Sequence, residues 1–309
     1  MITDIATLLT RAEELDLKLT TDKTDFDRSG LDFLVLDATD EHNTTWMVRT
    51  PKHPKAYEAT IHESKMLEFL RPRLSVAIPD WRLHETDIIA YPRLPGTPAW
   101  TYHPQTGLVW NGLDVSNPQT NFLKSTAGFL AQLHSMNSTD LQNAGARCRS
   151  IDQVRETIRE ACVTTRPLLN PTERLWQRWQ DWLEDDSYWP KENALTHGDF
   201  HPGHMLLDSS LSLIGVLDWT EAELADPSVD FGIFFGCFGK EHLLNFLGLY
   251  CEAGGKVYDR LADHVMERWA AYAPLVAQWG LKNDQQAVVE HAKQHLVTTE
   301  TQMLALTSS

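Results

Sequence analysis

A chain of 309 residues has room for two lobes, each burying its own apolar core. Its 43 acidic against 27 basic residues give a formal charge of −16, which excludes binding a polyanion such as nucleic acid through a broad basic surface; a solubility surface explains that charge more simply than attraction of a cationic small molecule. No signal-type apolar region and no membrane-length apolar run occurs, so a cytoplasmic location is expected, and Cys148, Cys162, Cys237 and Cys251, widely spaced without a CxxC pair, read as buried thiols.

Along the chain, Asp4 to Asp16 is predicted as an amphipathic helix capped by Thr3 or Asp4. Strands follow at Leu17–Thr20, Leu31–Leu36 and Thr45–Arg49, an antiparallel meander whose first turn is Asp27-Arg28-Ser29-Gly30. A helix from about Tyr57 to Leu70 carries Ile61, Met66, Leu67 and Leu70 as its apolar positions and Glu63 among them. Pro79 and Trp81-Arg82-Leu83 lead to a strand at Asp87–Tyr91, broken by Pro92-Arg93-Leu94-Pro95-Gly96. Residues 97 to 116 show no clear periodicity and read as a loop insertion. Pro118 to Met136 resembles a helix with Asn117 as N-cap and Pro118 at its first position. His134 ends its apolar face, where a hydrogen-bonded core histidine is the simpler reading. Helices at Ile151–Cys162 and Pro171–Glu184 precede the richest segment, and Phe231–Phe238, Leu243–Cys251, Val257–Trp279 and Asp284–Leu306 make the C-terminal region helical.

The richest segment is His197-Gly198-Asp199-Phe200-His201-Pro202-Gly203-His204. Met205-Leu206-Leu207, the turn Asp208-Ser209-Ser210 and Leu213–Leu217 form a predicted hairpin that returns Asp218 to the neighbourhood of Asp199 and His204. Phosphoryl transfer needs one carboxylate beside the acceptor hydroxyl and another on the metal that bridges the nucleotide phosphates, and Asp199 and Asp218 suit these two places. Two other readings stand beside it. The polar groups can simply cap turns, or His197, Asp199, His201 and His204 can ligate zinc or a metal pair in a hydrolase, although no second His/Asp cluster is evident elsewhere.

These residues resemble the aminoglycoside-phosphotransferase-like kinase superfamily, and one branch in particular. His197–His204, Leu217-Asp218-Trp219-Thr220-Glu221-Ala222, Asp226-Pro227-Ser228-Val229-Asp230-Phe231, Trp46-Met47-Val48-Arg49 and Ile89-Ala90-Tyr91-Pro92 look like the corresponding segments of macrolide 2′-phosphotransferases, over about residues 27 to 240. The resemblance implies an α+β, bilobal protein-kinase-like fold, with residues 1–94 as a nucleotide-binding lobe of antiparallel sheet and helices, and 95–309 as a mainly helical lobe. It implies transfer of the γ-phosphate of GTP or ATP to the 2′-hydroxyl of a macrolide's amino sugar, which inactivates the antibiotic. Asp199 would orient the hydroxyl and accept its proton, His204 and Asp218 would hold Mg2+, and His197 and Asp230 would support the catalytic loop. Ser29 and Gly30 would cover the phosphates, Arg49 paired with Glu63 would touch them, and Pro92 and Leu94 would meet the purine edge. Position 204 is usually Asn in the superfamily; His, shared with the macrolide branch, is a softer ligand for magnesium. The acceptor's dimethylamino group would be cationic, giving the acidity of the chain a use. Phe235, Phe238, Met266, Trp269 and Tyr272 are candidates for an apolar floor, the last three on one predicted helix, a stripe whose commoner use is core packing. No obligate protein partner is indicated. Same-fold kinases of aminoglycosides, choline-like compounds or sugars, and a nucleotide-binding module without transfer, are the remaining rivals.

Overall fold

The computed structural model describes residues 2–28, 30, 32–103 and 106–306. The first helix, α1 (Ile5–Glu14), starts where Asp4 accepts the N–H of Thr7 at 2.9 Å, and it buries Leu8 and Ala12. A five-stranded antiparallel sheet receives it: β1 (Leu19–Thr20), β2 (Phe33–Asp40) and β3 (Thr45–Pro51), then, after helix α2 (Pro54–Leu70), β4 (Leu83–His84) and β5 (Ile89–Pro92), in the order β1-β2-β3-β5-β4. Alternation sorts the sheet into two faces. Leu34, Leu36, Ala38, Val48 and Ala90 pack with Leu8 and Ala12 of α1, while Phe33, Ile89 and Tyr91 look the other way with Val35 and Met47. The register Val35↔Arg49 and Arg49↔Ile89 puts Arg49 on that second face.

Beyond β5 the chain makes β6 (Thr97–Pro98), β7 (Trp100–His103) and β8 (Gly107–Trp110), where the sequence suggests only an irregular insertion. Helices α3 (Thr120–His134) and α4 (Ser138–Asn143), strand β9 (Arg147–Cys148), and helices α5 (Ile151–Leu169) and α6 (Glu173–Glu184) follow. The chain then continues through β10 (Ala194–Thr196), β11 (Met205–Leu207), β12 (Leu213–Val216), β13 (Glu223–Ala225) and helices α7 (Val229–Glu252), α8 (Leu261–Ala270), α9 (Tyr272–Lys282) and α10 (Gln286–Leu306). The short strands pair as β10-β13-β9, β12-β11-β6 and β7-β8.

Several boundaries differ from the sequence reading for local reasons. Asn117 and Pro118 do not open α3, because Asp114 folds back in a turn, accepting the N–H of Ser116 at 2.9 Å, and the cap falls on Gln119. Helix α5 runs past Cys162 to Leu169, ended by Asn170 in the left-handed region. The two helices expected at Phe231–Phe238 and Leu243–Cys251 are present, α7 (Val229–Glu252) being two helices that meet at a kink where Gly239, with φ 78° and ψ −177°, leaves the helical region. The single helix expected over 257–279 is broken at Ala271. Pro274 supplies the reason, since it lacks an N–H and its ring would strike the carbonyl of Ala270 in a continuous helix. Met266 and Trp269 therefore lie on α8 and Tyr272 on α9.

The core of the helical part reaches back across β5 into α2. Met66, Leu67, Leu70 and Ile78 pack in one cluster with Phe129, Leu133, Phe200, Met205 and Trp219. Helix α2 thus belongs to both cores, and side chains along it are fixed relative to both the sheet and the segment that follows β12.

Candidate active site

The hairpin β11–β12 closes as its sequence suggests, with Met205 opposite Val216, and Leu217 donates its N–H to the carbonyl of His204 at 2.9 Å. Asp218 follows immediately with φ 60°, a left-handed conformation uncommon for an aspartate and characteristic of sites where a side chain is aimed at some cost. Its carboxylate lies 3.8 Å from Nε2 of His204. On the other side of that ring, Nδ1 lies 3.0 Å from the backbone oxygen of Asp199. A carbonyl only accepts, so Nδ1 carries a proton, and Nε2 is the ring nitrogen that faces Asp218.

The loop bearing Asp199 is clamped from beneath by Asp230, on the first turn of α7. Its two oxygens accept the N–H groups of His197 at 2.8 Å and Gly198 at 2.9 Å, and its Oδ2 also meets Nε2 of His134 at 3.1 Å. Gly198 has φ 85°, and a Cβ there would stand 2.5 Å from the carbonyl oxygen of Glu221, so only glycine fits. His197 is wholly buried, its Nε2 3.0 Å from the carbonyl of Leu217 and its Nδ1 accepting the N–H of Asp199 at 3.3 Å; burial pushes its pKa down, in keeping with a neutral ring that ties the two ends of the hairpin together.

His201 also stands at the site. Gly203 donates its N–H to Nδ1 at 3.0 Å, so the proton sits on Nε2, 3.8 Å from the Asp199 carboxylate. Its ring lies against that of His204, centroids 3.8 Å apart and planes tilted by 32°, and burial followed by the charge of His204 pushes its pKa down to about 4. Asp199, His201 and His204 offer ligand atoms within 4.8 Å of one another, the one such group among the described residues. The tautomers decide among them. His201 turns an N–H toward the site, whereas His204 turns Nε2 toward a second carboxylate, so a cation would fit His204 and Asp218 better than a His201-containing triad. Burial works to raise the Asp218 pKa, but His204 and Arg49 outweigh it and hold the carboxyl below its ordinary range.

Arg49 and Glu63 meet across the cleft roof at 3.9 Å, Glu63 completely buried and Arg49 lying 4.1 Å over the Phe33 ring. Glu63 then reaches the segment after Asp218: Oε1 accepts the N–H of Trp219 at 3.4 Å and Oε2 the hydroxyl of Thr220 at 3.1 Å. One residue earlier on α2, Nε2 of His62 lies 2.7 Å from the carbonyl of Ala222. Burial pushes the Glu63 carboxyl up, against the pull of Arg49; for Arg49 itself burial is outweighed by Glu63 and its other anionic neighbours, so its pKa rises.

The remaining expected site residues are spread more widely. Ser29 lies outside the described residues, and Gly30, like Arg28, gives its backbone oxygen to the Lys52 ammonium. Pro92 ends β5 opposite Trp46, and the next N–H, of Arg93, goes to the carbonyl of Thr45 at 2.8 Å, so Leu94 is the first residue past that bond. Phe238 is buried against Phe234, Phe122 and Trp110, and Phe235 and Met266 flank the same core. Trp269 stacks on Tyr272 at 5.0 Å and passes so close to Gly236 that a Cβ there would lie 2.2 Å from the indole. Burial and then the charge of Asp199 raise the Tyr272 hydroxyl. Sequence reasoning left His62, Thr220 and Trp100 without a part at the site, and only the hydrogen-bond map reveals the first two.

With this geometry in hand, the comparisons are decisive on ancestry. The family model of the phosphotransferase enzyme family, APH, matches residues 25–264. The chain belongs to that family. It is 34% identical to the uncharacterized protein YcbJ of Bacillus subtilis over 97% of each chain. A macrolide 2′-phosphotransferase type I structure superposes with a TM-score of 0.86 at 31% identity, covering 96% of this chain and 99% of that one. The apoenzyme of the macrolide 2′-phosphotransferase MphH from Brachybacterium faecium gives 0.85 at 31%, covering 95% and 97%. A GDP complex of aminoglycoside 2′-phosphotransferase-IIIa, 17% identical with a TM-score of 0.75 over 96% and 98% of the two chains, shares the fold. The protein is a small-molecule kinase of mixed α+β, protein-kinase-like fold, similar to macrolide 2′-phosphotransferases. Among the described residues no helix is long and apolar enough to cross a membrane.

Proposed function

We propose that the enzyme transfers the γ-phosphate of GTP or ATP to the 2′-hydroxyl of a macrolide's amino sugar, so conferring resistance. The observation that carries this reading is the bridge His204 makes between the two aspartates, with Nδ1 on the Asp199 backbone and Nε2 toward Asp218, in a chain 31% identical to macrolide enzymes over nearly its full length. Asp199, its side chain 44% exposed, is open to an acceptor; it orients the hydroxyl and takes its proton as the new O–P bond forms and the bond to the β–γ bridging oxygen breaks. Asp218 and the Nε2 lone pair of His204 are the groups that would hold Mg2+. When bound, magnesium supplies positive charge to the β- and γ-phosphate oxygens.

Arg49 faces the α- and β-phosphates from the roof of the cleft, kept charged and in place by Glu63 and Phe33. By the resemblance, Ser29 and Gly30 would cover the phosphates, and the carbonyl of Pro92 with the N–H of Leu94 would read the purine edge. Asp230 and His197 hold the catalytic loop without touching the reacting atoms. Phe235, Phe238, Met266, Trp269 and Tyr272 are the candidates for the apolar floor under the macrolactone, and the cationic amine of the acceptor is drawn by the carboxylates around Asp199. The protein acts in the cytoplasm, where donor nucleotide is plentiful.

The test is incubation with ATP or GTP against a panel of macrolides and aminoglycosides, read by product mass. One added phosphate on macrolides alone supports the proposal. Phosphate on aminoglycosides alone, or none on any acceptor, rejects it.

A further inference from the structure

The turn that follows Asp218 is gripped by side chains from two distant elements, neither of which the chemistry described above uses. Asp218 holds its left-handed φ of 60° only because its surroundings over-determine it. Thr220 is the centre of that constraint. Its N–H goes to Oδ1 of Asp218 at 3.3 Å, its hydroxyl to Oε2 of Glu63 at 3.1 Å, and its carbonyl accepts from the guanidinium of Arg147 on β9. Two residues on, the carbonyl of Ala222 meets Nε2 of His62 on α2 at 2.7 Å, and the N–H of Ala222 closes the turn on the carbonyl of Trp219 at 3.1 Å. The strand β9 is itself fixed, running parallel to β13 with Arg149 paired to the Glu223 carboxylate. The turn also lies against the catalytic loop, since a Cβ at Gly198 would stand 2.5 Å from the carbonyl oxygen of Glu221. A shift of residues 219–222 would therefore carry the Asp218 carboxylate with it.

We propose that Arg147 and His62 are positioning residues for Asp218: by holding the carbonyls of Thr220 and Ala222 from β9 and α2, they keep its carboxylate aimed at the metal. The inference rests on the reading of Asp218 as a magnesium ligand given above and adds the residues that set its affinity. Arg147 is exposed, so water would satisfy its guanidinium without this bond. What the bond adds is place. A charged donor on the carbonyl of Thr220 is stronger than a neutral one, and it fixes the same residue whose N–H orients the Asp218 side chain. Groups that hold a metal ligand from behind typically govern about tenfold to a hundredfold in metal affinity.

The test separates metal from nucleotide by measuring GDP binding to the full-length enzyme by calorimetry, once with Mn2+ and once with EDTA. The ratio of the two dissociation constants is the gain due to the metal. In Arg147→Ala/His62→Ala that gain is expected to fall by about tenfold or more, while the metal-free affinity stays within about twofold of wild type. The rate at limiting Mg2+ should fall with it and recover at excess metal. Arg147→Lys/His62→Gln, which returns a donor to each carbonyl, should restore most of the gain. Arg149→Ala breaks the neighbouring pair with Glu223 but leaves both carbonyls held, and should keep it. An unchanged gain in the double alanine variant overturns the proposal, and so does an equal loss with and without metal, which marks the two residues as packing alone. Should that variant fail to fold, Arg147→Ala alone carries the comparison, with a fall of about threefold or more expected. If wild type shows no gain, or Asp218→Asn keeps it, the reading of Asp218 as a metal ligand has itself failed, an outcome distinct from an unchanged gain in the double variant, and the positioning role falls with it.

Discussion

The roof and the base of the cleft hold their charges in opposite ways. On the roof, Glu63 is fully buried and Arg49 nearly so, each satisfied by the other, by an aromatic face or by hydrogen bonds from Trp219 and Thr220. At the base, Asp199 and Asp218 keep 44% and 40% of their side-chain surface open, and their nearest imidazoles stand off at 3.7–3.8 Å. A buried, fully paired ion pair fixes a geometry; open carboxylates with spare acceptor capacity remain free to meet a hydroxyl or a cation. On the proposed function the same kind of side chain would serve as scaffold above and as chemistry below, and substitutions on the two sides should fail differently.

The largest effect is expected at the base. Asp199→Asn should lower kcat by about 10²–10⁴ while the melting temperature stays within a few degrees of wild type, because no buried partner loses its bond. Initial rates and a thermal melt measured on the same preparation check both halves. On the roof the order reverses. Glu63→Ala strands the Arg49 guanidinium and removes an acceptor from Trp219 and Thr220, and should cost about 3–5 kcal/mol in urea unfolding. A loss of activity without a loss of stability would erase the distinction between the two regions.

Smaller effects sharpen it. Arg49→Lys keeps the charge but gives up the planar fork over Phe33, so KM for the nucleotide should rise by about tenfold with a modest change in kcat, read from steady-state kinetics with the donor varied. The smallest concerns the attachment of the roof to the base through His62. Burial lowers its pKa below the ordinary 6.5, so the unfolded chain binds the proton more readily than the folded one. The stability this gives is present above pH 6.5 and is lost as pH falls through the lower folded value. Urea midpoints at pH 7.5 and 5.5 should therefore diverge less in His62→Gln than in wild type.

The same contrast explains what could be read from the chain. Asp199, His204 and Asp218 were legible because one hairpin, with its alternation and turn residues, brings them together over a short stretch. Asp230 was legible from the resemblance, yet its bond to His134 spans 96 positions and leaves no local pattern. Arg49 and Glu63 sit on elements the periodicity finds, but their pairing rests on the likeness to known kinases. Their attachment to Thr220 and Trp219 comes from α2 packing into the second core, a tertiary fact. The hairpin at 100–110 is hard to read from the sequence although Trp100 and Tyr102, and Leu108 and Trp110, obey a period of two. Pro98 and Pro104 interrupt the run, and an exposed apolar face does not alternate with water as an ordinary surface strand does. Pro274 marks the break at Ala271, but the flanking apolar residues continue the helical spacing and hide it.

The most direct measurement gives wild-type enzyme and Asp199→Asn the same mixture of Mg2+, GTP and erythromycin and follows the macrolide by mass and by phosphorus NMR. Wild type is expected to yield a singly phosphorylated product with its phosphorus coupled to the 2′ carbon-bound hydrogen, and the variant almost none. Equal product from both proteins, or a phosphate at any other position, would contradict the assignment of Asp199 to 2′-phosphoryl transfer.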